Sequence, residues 1–228
     1  MDAQAPAVLI TALNEADRIG ATIGAIRSRW PQAVVVVADD GSTDATAARS
    51  REAGAEVVSA GRDIGKGGAA TLGARRVLEL DPALVLLCDG DLGESAARLD
   101  RLVDAVAGGE GNLAVAVFAR RVGGGFGFAV GFARWAIRNL TGLDLQAPIS
   151  GQRAMDGATF RDVVPFAPRF GMEIGMTVDA YRAGRRVIEV EVDLEHRATG
   201  RSLAGFRHRF RQLADFVVVW ARLKRGAR

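Results

Sequence analysis

The chain has 228 residues, 49% hydrophobic and 25% charged, with 28 Gly and 6 Pro. This excludes disordered, collagen-like and disulfide-scaffold proteins and leaves room for one large α/β domain or two small ones. The net charge of +3 is unevenly spread: residues 197–228 hold nine Lys or Arg against one acid, Asp215, so residues 1–196 carry −5.

Taken in chain order, residues 1–17 lack the basic and then long apolar run of a signal peptide. Four continuous apolar runs follow: Ala7 to Ala12, Ala33 to Ala38, Ala55 to Ser59 and Leu84 to Cys88. Strands of this kind are buried on both faces, as in a parallel sheet covered by helices. Between them, Glu15 to Arg29, Asp44 to Ala53 and Gly68 to Leu80 read as helices, with Ser42-Thr43 as a helix start and Gly54 as a stop. The β-α-β-α repetition predicts right-handed crossovers and a doubly wound sheet.

Beyond residue 112 the pattern loosens. Leu113 to Ala119 is a fifth strand, followed by a glycine-rich loop, Gly123 to Gly127. Helices are expected over Val130 to Leu140 and Met172 to Ala183, and an edge or antiparallel strand over Arg186 to Leu194. A final helix runs from about Leu203 to Lys224, with Phe206, Phe210, Leu213, Val217 and Trp220 forming one apolar stripe. No run reaches the ~18 apolar residues of a membrane span. No linker interrupts the chain, so a single domain over residues 1–228 is expected.

Ligands of doubly wound sheets sit at the carboxyl ends of the strands. Those ends carry Asn14-Glu15, then Asp39-Asp40-Gly41-Ser42-Thr43-Asp44, then Gly65-Lys66-Gly67-Gly68, then Asp89-Gly90-Asp91. One acidic turn is an ordinary helix cap, whereas four at one sheet edge suggest a site. Two carboxylates one residue apart suit a hard cation, Mg²⁺ or Mn²⁺, which keeps positions open for substrate phosphates. Lys66 is the only lysine before residue 224. Set among glycines at a helix start, it suits a compact charge on a phosphate. The segment is no P-loop, since Ala60 stands where the first Gly belongs and no Ser or Thr follows Lys66. The lone cysteine, Cys88, reads as a core residue. The basic tail fits either a phosphate-bearing or anionic-membrane partner or a simply solvated Arg-rich helix.

The ordered motifs Leu13-Asn14-Glu15, Ala38 to Asp44, Gly65 to Ala69 and Asp89 to Leu92 resemble those of family 2 glycosyltransferases with the GT-A fold. The likeness continues through Ser150 to Ala154, Phe170 to Gly175 and His196 to Ser202. Trp135 and Arg138 after the triple glycine, then Ser150-Gly151-Gln152-Arg153-Ala154, are similar to dolichyl- and polyprenyl-phosphate sugar synthases. Val164 to Pro168 running into Phe170 to Gly184 is similar to glucosyl-3-phosphoglycerate synthases. Thr11-Ala12 departs from the Val/Ile-Pro usual before Asn-Glu.

The resemblance implies a GT-A type, Rossmann-like, mostly parallel sheet flanked by helices, with a C-terminal amphipathic helix. It implies a nucleotide-sugar-binding half (1–120), an acceptor-binding half (121–202) and a basic helix (203–228). The implied reaction is a metal-dependent, inverting transfer of a sugar from a UDP- or GDP-linked donor to a phosphate-bearing acceptor such as a polyprenyl phosphate. A small phosphorylated acid is the alternative acceptor. The donor would be held by Leu13, Asn14, Glu15, Asp39, Gly41, Lys66, Asp89 and Gly90, with Asp39 at the base and Glu15 at the base or ribose. Asp91, Asp89 and His196 would hold the metal. Glu173 and Asp91 would be catalytic, with Glu173 as the base for a hydroxyl acceptor. Arg121, Arg153 and Arg197 would grip the acceptor phosphate. The expected location is cytoplasmic, with peripheral membrane contact through residues 203–228 and no nucleic-acid partner. A nucleotidyltransferase would need a glycine-rich basic loop directly after the first strand, where this chain has Leu13-Asn14-Glu15.

Overall fold

The computed structural model describes residues 5–118, 127–194 and 203–226, without side chains for 127 and 203–213. One seven-stranded sheet runs through it, in the order β3-β2-β1-β4-β6-β5-β7. The strands are β1 (Ala7–Ala12), β2 (Val35–Asp39), β3 (Glu56–Ser59), β4 (Leu84–Asp89), β5 (Leu113–Phe118), β6 (Arg153–Asp156) and β7 (Val187–Val192). β1 to β4 are mutually parallel, as are β5 and β7, while β6 runs antiparallel to both β4 and β5.

Helices α1 (Ile19–Arg29), α2 (Thr46–Glu52), α3 (Lys66–Glu79), α4 (Asp100–Ala107), α5 (Gly127–Thr141), α6 (Gly157–Val163), α7 (Met172–Arg182) and α8 (Leu203–Lys224) complete the fold, with short 3₁₀ segments over Gly93–Leu99 and Arg169–Gly171.

The period-2 geometry of a strand explains the two main cores. Val8, Ile10 and Ala12 of β1 point to one face, where Ile19, Ile23 and Ile26 of α1 and Leu102 of α4 close over them. Leu9 points to the other, beneath Ala70, Ala74 and Val77 of α3 and Met176 of α7. Gly73 lets α3 lie this close: a Cβ there would come within 2.7 Å of Leu9 Cδ1 and 3.0 Å of the Ala38 Cβ. A third core joins α5, α7 and α8 through Ala133, Ile137, Ile174, Val178, Phe216 and Val219.

The expected mostly parallel α/β sheet is therefore present, with differences at the edges of elements. The helix expected from Glu15 starts at Ile19, because Asn14 adopts φ +56° and Glu15 sits in the turn leading in. The start expected at Ser42-Thr43 falls at Thr46, whose N–H and hydroxyl both donate to Asp44. The strand over 187–192 is an edge strand, parallel to its neighbour β5. Strand β6 was not anticipated. It is four residues long with charged ends, so it carries no hydrophobic period.

Placing β4 on the far side of β1 from β2 creates a topological switch point, and open α/β sheets bind their ligands beyond the strand ends at such a point.

Candidate active site

The carboxyl ends of β1, β2 and β4 lie on one edge of the sheet, in register: Ala12 pairs with Asp39, and Thr11 with Asp89. The loops beyond are tied to one another. Asn14 N–H donates to Ser42 Oγ (2.9 Å), Thr43 N–H to Asn14 Oδ1 (2.9 Å) and Glu15 N–H to Thr46 Oγ1 (2.8 Å). Leu13 is left exposed at the rim.

Asp39 is buried at the end of β2, accepting from Ser42 N–H (3.2 Å) and Ser59 Oγ (2.9 Å). A carboxylate has about four acceptor positions, so Asp39 keeps capacity for a further donor. Asp40 accepts from the backbone N–H groups of Ile64 (2.8 Å) and Gly65 (3.0 Å), which fixes the loop leading to Lys66. Burial raises its pKa, helped by the charges of Asp63 and Asp39 and opposed by these two hydrogen bonds. Gly41 has φ +79°, and a Cβ there would lie 2.3 Å from the Arg62 carbonyl carbon, so only glycine lets the two loops meet.

The centre of the site is Lys66, the first residue of α3. Its Nζ lies 2.7 Å from Asp89 Oδ1 and 2.9 Å from Glu173 Oε1, joining the end of β4 to the first turn of α7. Asp89 also accepts from Thr11 Oγ1 (3.0 Å) and Gln152 Nε2 (2.8 Å). Burial works against the lysine's charge, but Asp89 and Glu173 more than offset it and its pKa rises. Burial likewise opposes the Asp89 carboxylate, and Lys66, Thr11 and Gln152 pull its pKa below the ordinary value. Glu173 is buried. Gly151 packs on this pair: a Cβ would stand 2.6 Å from Asp89 Oδ2 and 2.7 Å from Lys66 Nζ.

Asp91 follows on the turn after β4, partly exposed, with its carbonyl held by Arg18 Nη1 (3.0 Å). Gly90 is buried between, donating to Thr11 O (3.0 Å) and accepting from Thr22 Oγ1 (2.8 Å). A cation site can be tested on this donor set. Asp89 is committed to three donors, which makes Asp91 the better ligand. Among the described residues no three His, Cys, Asp or Glu form a metal cage. One or two carboxylates fit a hard cation that takes its remaining ligands from substrate phosphates and water. His196, Arg197 and Arg121 lie outside the described residues.

Arg153 corrects an expectation. It is wholly buried and donates to Ser150 O (2.9 Å), Thr177 Oγ1 (2.9 Å) and Pro148 O (3.2 Å). Burial lowers its pKa to about 10 against the support of Glu173 and Glu189. Its guanidinium braces the 148–150 loop against α7 and has no exposed surface. Cys88 is the core residue expected, its thiol pushed up by burial.

Two residues in this network were not singled out as site residues. Gln152 lay within the Ser150 to Ala154 motif. Thr11 stood out only as a departure from the Val/Ile-Pro usual before Asn-Glu, and its hydroxyl donates to Asp89.

The family model described as glycosyl transferase family 2 matches residues 7–161, which contain β1 to β4 and their terminal motifs. The chain belongs to glycosyl transferase family 2. Membership makes it a nucleotide-sugar-dependent glycosyltransferase. It is 29% identical over 210 residues to an undecaprenyl-phosphate mannosyltransferase of Micrococcus luteus, covering 85% of each chain. It is 34% identical over 202 residues to a glucosyl-3-phosphoglycerate synthase of Mycolicibacterium paratuberculosis, covering 76% of this chain and 59% of that one. Among solved structures it is similar to glucosyl-3-phosphoglycerate synthase of Mycobacterium tuberculosis. The complex with phosphoglyceric acid has a TM-score of 0.75 at 26% identity, covering 96% of this chain and 80% of that one. The complex with Mn²⁺, UDP and glucosyl-3-phosphoglycerate gives 0.74 at 27%, covering 95% and 80%. No helix among the described residues is long and apolar enough to cross a membrane.

Proposed function

We propose that this family 2 glycosyltransferase moves a sugar from a UDP- or GDP-linked donor to a polyprenyl phosphate, with inversion at the anomeric carbon. The observation that carries the reading is the Lys66 ammonium held between Asp89 and Glu173 at the switch point of the sheet. A diphosphate entering there competes with two carboxylates for one cation, and Lys66 is positioned to exchange them for phosphate oxygens. Asp39 and Glu15 would receive the base at the β1–β2 edge, with Leu13, Asn14 and Gly41 shaping the loops around it. Asp91, with Asp89 and His196, would hold Mg²⁺ or Mn²⁺. A metal bound there neutralises charge on the leaving diphosphate.

Glu173 stands across the site from Asp89. A hydroxyl acceptor needs a base, and Glu173 would take that role once Lys66 turns to the donor. A phosphate acceptor arrives already ionised, and Glu173 then orients sugar hydroxyls. Arg121 and Arg197 remain the proposed grips on the acceptor phosphate. The polyprenyl reading is favoured by the Micrococcus luteus relative, which matches over 85% of both chains. The structural likeness to a synthase bound to phosphoglyceric acid supports a second reading, a small phosphorylated acid as acceptor. The working site is the cytoplasmic membrane face, reached by residues 203–228.

The test is a transfer panel of UDP-glucose and GDP-mannose against undecaprenyl phosphate and 3-phosphoglycerate, with Mn²⁺ or EDTA. Metal-dependent transfer to the lipid phosphate is expected. Transfer to 3-phosphoglycerate alone would establish the second reading. A folded protein that neither binds nor turns over any donor would overturn both.

A further inference from the structure

Helix α8 carries two apolar stripes rather than one. The stripe expected from spacing included Val217 and Trp220, yet the side chains that enter the core are Phe216, Val219 and Leu223. Val217 and Val218 are left 42% and 49% exposed. The outward stripe therefore costs the core nothing and is available to something else.

Helix α5 extends it. Phe128, Phe132 and Trp135 fall at i, i+4 and i+7, on one face. Phe128 is 92% exposed and Trp135 48%. The Trp135 ring lies 5.4 Å from Phe132 and 5.1 Å from Trp220, so the aromatic ridge crosses from one helix to the other. Lys224 Nζ sits 5.0 Å over the Trp220 ring. Arg138, Arg222 and Arg225 stand exposed within a turn or two of these rings. Helix α5 has no acid, and the described part of α8 has one, Asp215.

We propose that the α5–α8 aromatic ridge docks on an anionic lipid surface, lying in its interface rather than spanning it. The proposal deepens the membrane-facing part of the function proposed above and rests on it. Aromatic rings with a polar edge, rimmed by long-stemmed cations, match the boundary between headgroups and acyl chains. Charge argues against a second copy as occupant, because a two-fold interface here would set Lys224, Arg222 and Arg225 against their own copies. Docking would also bring the site close to a lipid-borne phosphate. Val219, on the inner stripe of α8, packs so tightly on Gly171 that a Cβ there would stand 2.1 Å from its Cγ2, and Gly171 lies two residues before Glu173.

The natural probe is tryptophan emission. Of three tryptophans Trp30 is buried, so a change reports Trp135 and Trp220. The full chain is titrated with phosphatidylcholine vesicles, with and without phosphatidylglycerol, at low and high salt, and co-sedimented. A blue shift and co-sedimentation with anionic vesicles at low salt, weakened by salt, are expected. Phe128→Ser with Trp135→Ser lowers co-sedimentation at least tenfold and leaves the thermal midpoint in place. Each of Arg222→Gln, Lys224→Gln and Arg225→Gln lowers it about fivefold.

The proposal is overturned if the folded protein ignores anionic vesicles at low salt or if the Phe128–Trp135 variant binds them as well as wild type. Self-association abolished by that variant, with no vesicle binding, would show the ridge to be a contact between copies instead. Donor binding and turnover without vesicles are measured on the same samples. Normal turnover with no vesicle binding removes the ridge proposal alone, whereas vesicle binding with no donor binding removes the catalytic reading.

Discussion

Lys66 and Asp89 meet at 2.7 Å across the switch point of the sheet, one opening α3 and the other closing β4. The lysine side chain is about a fifth exposed (22%), so the pair is well shielded from solvent. Removing the cation with Lys66→Met would strand the carboxylates of Asp89 and Glu173, at a cost of about 3–5 kcal/mol, because one partner of a buried pair is hard to leave alone. Lys66→Arg is expected to retain most of the stability and to weaken donor binding, since a planar fork cannot replace a point charge in a glycine-lined turn. Thermal unfolding and calorimetric titration with UDP and GDP check both. Equal donor affinity in the arginine variant would reduce Lys66 to a structural residue.

Gly151→Ala aims at the same pair by steric means. The added methyl would lie within 2.7 Å of both Lys66 Nζ and Asp89 Oδ2, so the pair must separate or the 148–152 loop must move. Donor affinity should fall at least tenfold, with a stability loss of about 1–3 kcal/mol. Wild-type affinity in the alanine variant would show that the pair's geometry does not matter to the donor.

Asp91→Ala should abolish the Mn²⁺ dependence of nucleotide binding while leaving the fold intact. Its carboxylate lies on a partly exposed turn, and the Arg18 contact that fixes the turn uses the Asp91 backbone, which the substitution keeps. Titrations with and without Mn²⁺ decide it. A mutant that still binds UDP or GDP more tightly with metal present would move the cation elsewhere.

Arg153→Met separates bracing from acceptor binding. Three acceptors around the guanidinium would lose their donor, with a loss of several kcal/mol and a fall in thermal midpoint. The conservative Arg153→Lys should recover part of the stability with the acceptor KM unchanged. A raised acceptor KM at full stability would restore the role that the sequence suggested.

Acid sensitivity has a source away from the site. Asp156 caps α6, accepting from Thr159 N–H (2.7 Å), and also accepts from Asn112 Nδ2 (2.8 Å). Burial opposes its charge, but these hydrogen bonds and the nearby Arg185 leave its pKa below the ordinary value. A depressed carboxylate pKa stabilises the fold above the unfolded value of about 3.9, and that stability is lost as pH falls through the folded value. Asp156→Asn should therefore lose about 1 kcal/mol at pH 7 and show a shallower decline below about pH 4. A decline as steep as wild type would place the acid-labile group elsewhere.

The sequence alone determined the sheet's first half and the edge at which its site lies. β1, β2 and β4 are continuous apolar runs buried on both faces, while β3, read the same way, is a half-exposed edge strand. The apolar pattern is local, so the polar residues after the strands were legible as strand-end groups. Lys66 stood out because it is the only lysine before residue 224. That Lys66 pairs with both Asp89 and Glu173 was not legible, because Glu173 comes from α7, and Gln152, which donates to Asp89, comes from the turn before a four-residue antiparallel strand without a hydrophobic period. Tertiary structure also decided which arginine is a brace. In the sequence Arg153 is a cation beside a motif, and only the closing of α7 over β6 makes it a buried donor to three oxygens. The same holds for α8, where spacing marks apolar residues as a set. Packing against α5 and α7 then draws Phe216, Val219 and Leu223 inward and leaves Val217 and Val218 in solvent, because a helix can bury only the stripe its neighbours reach.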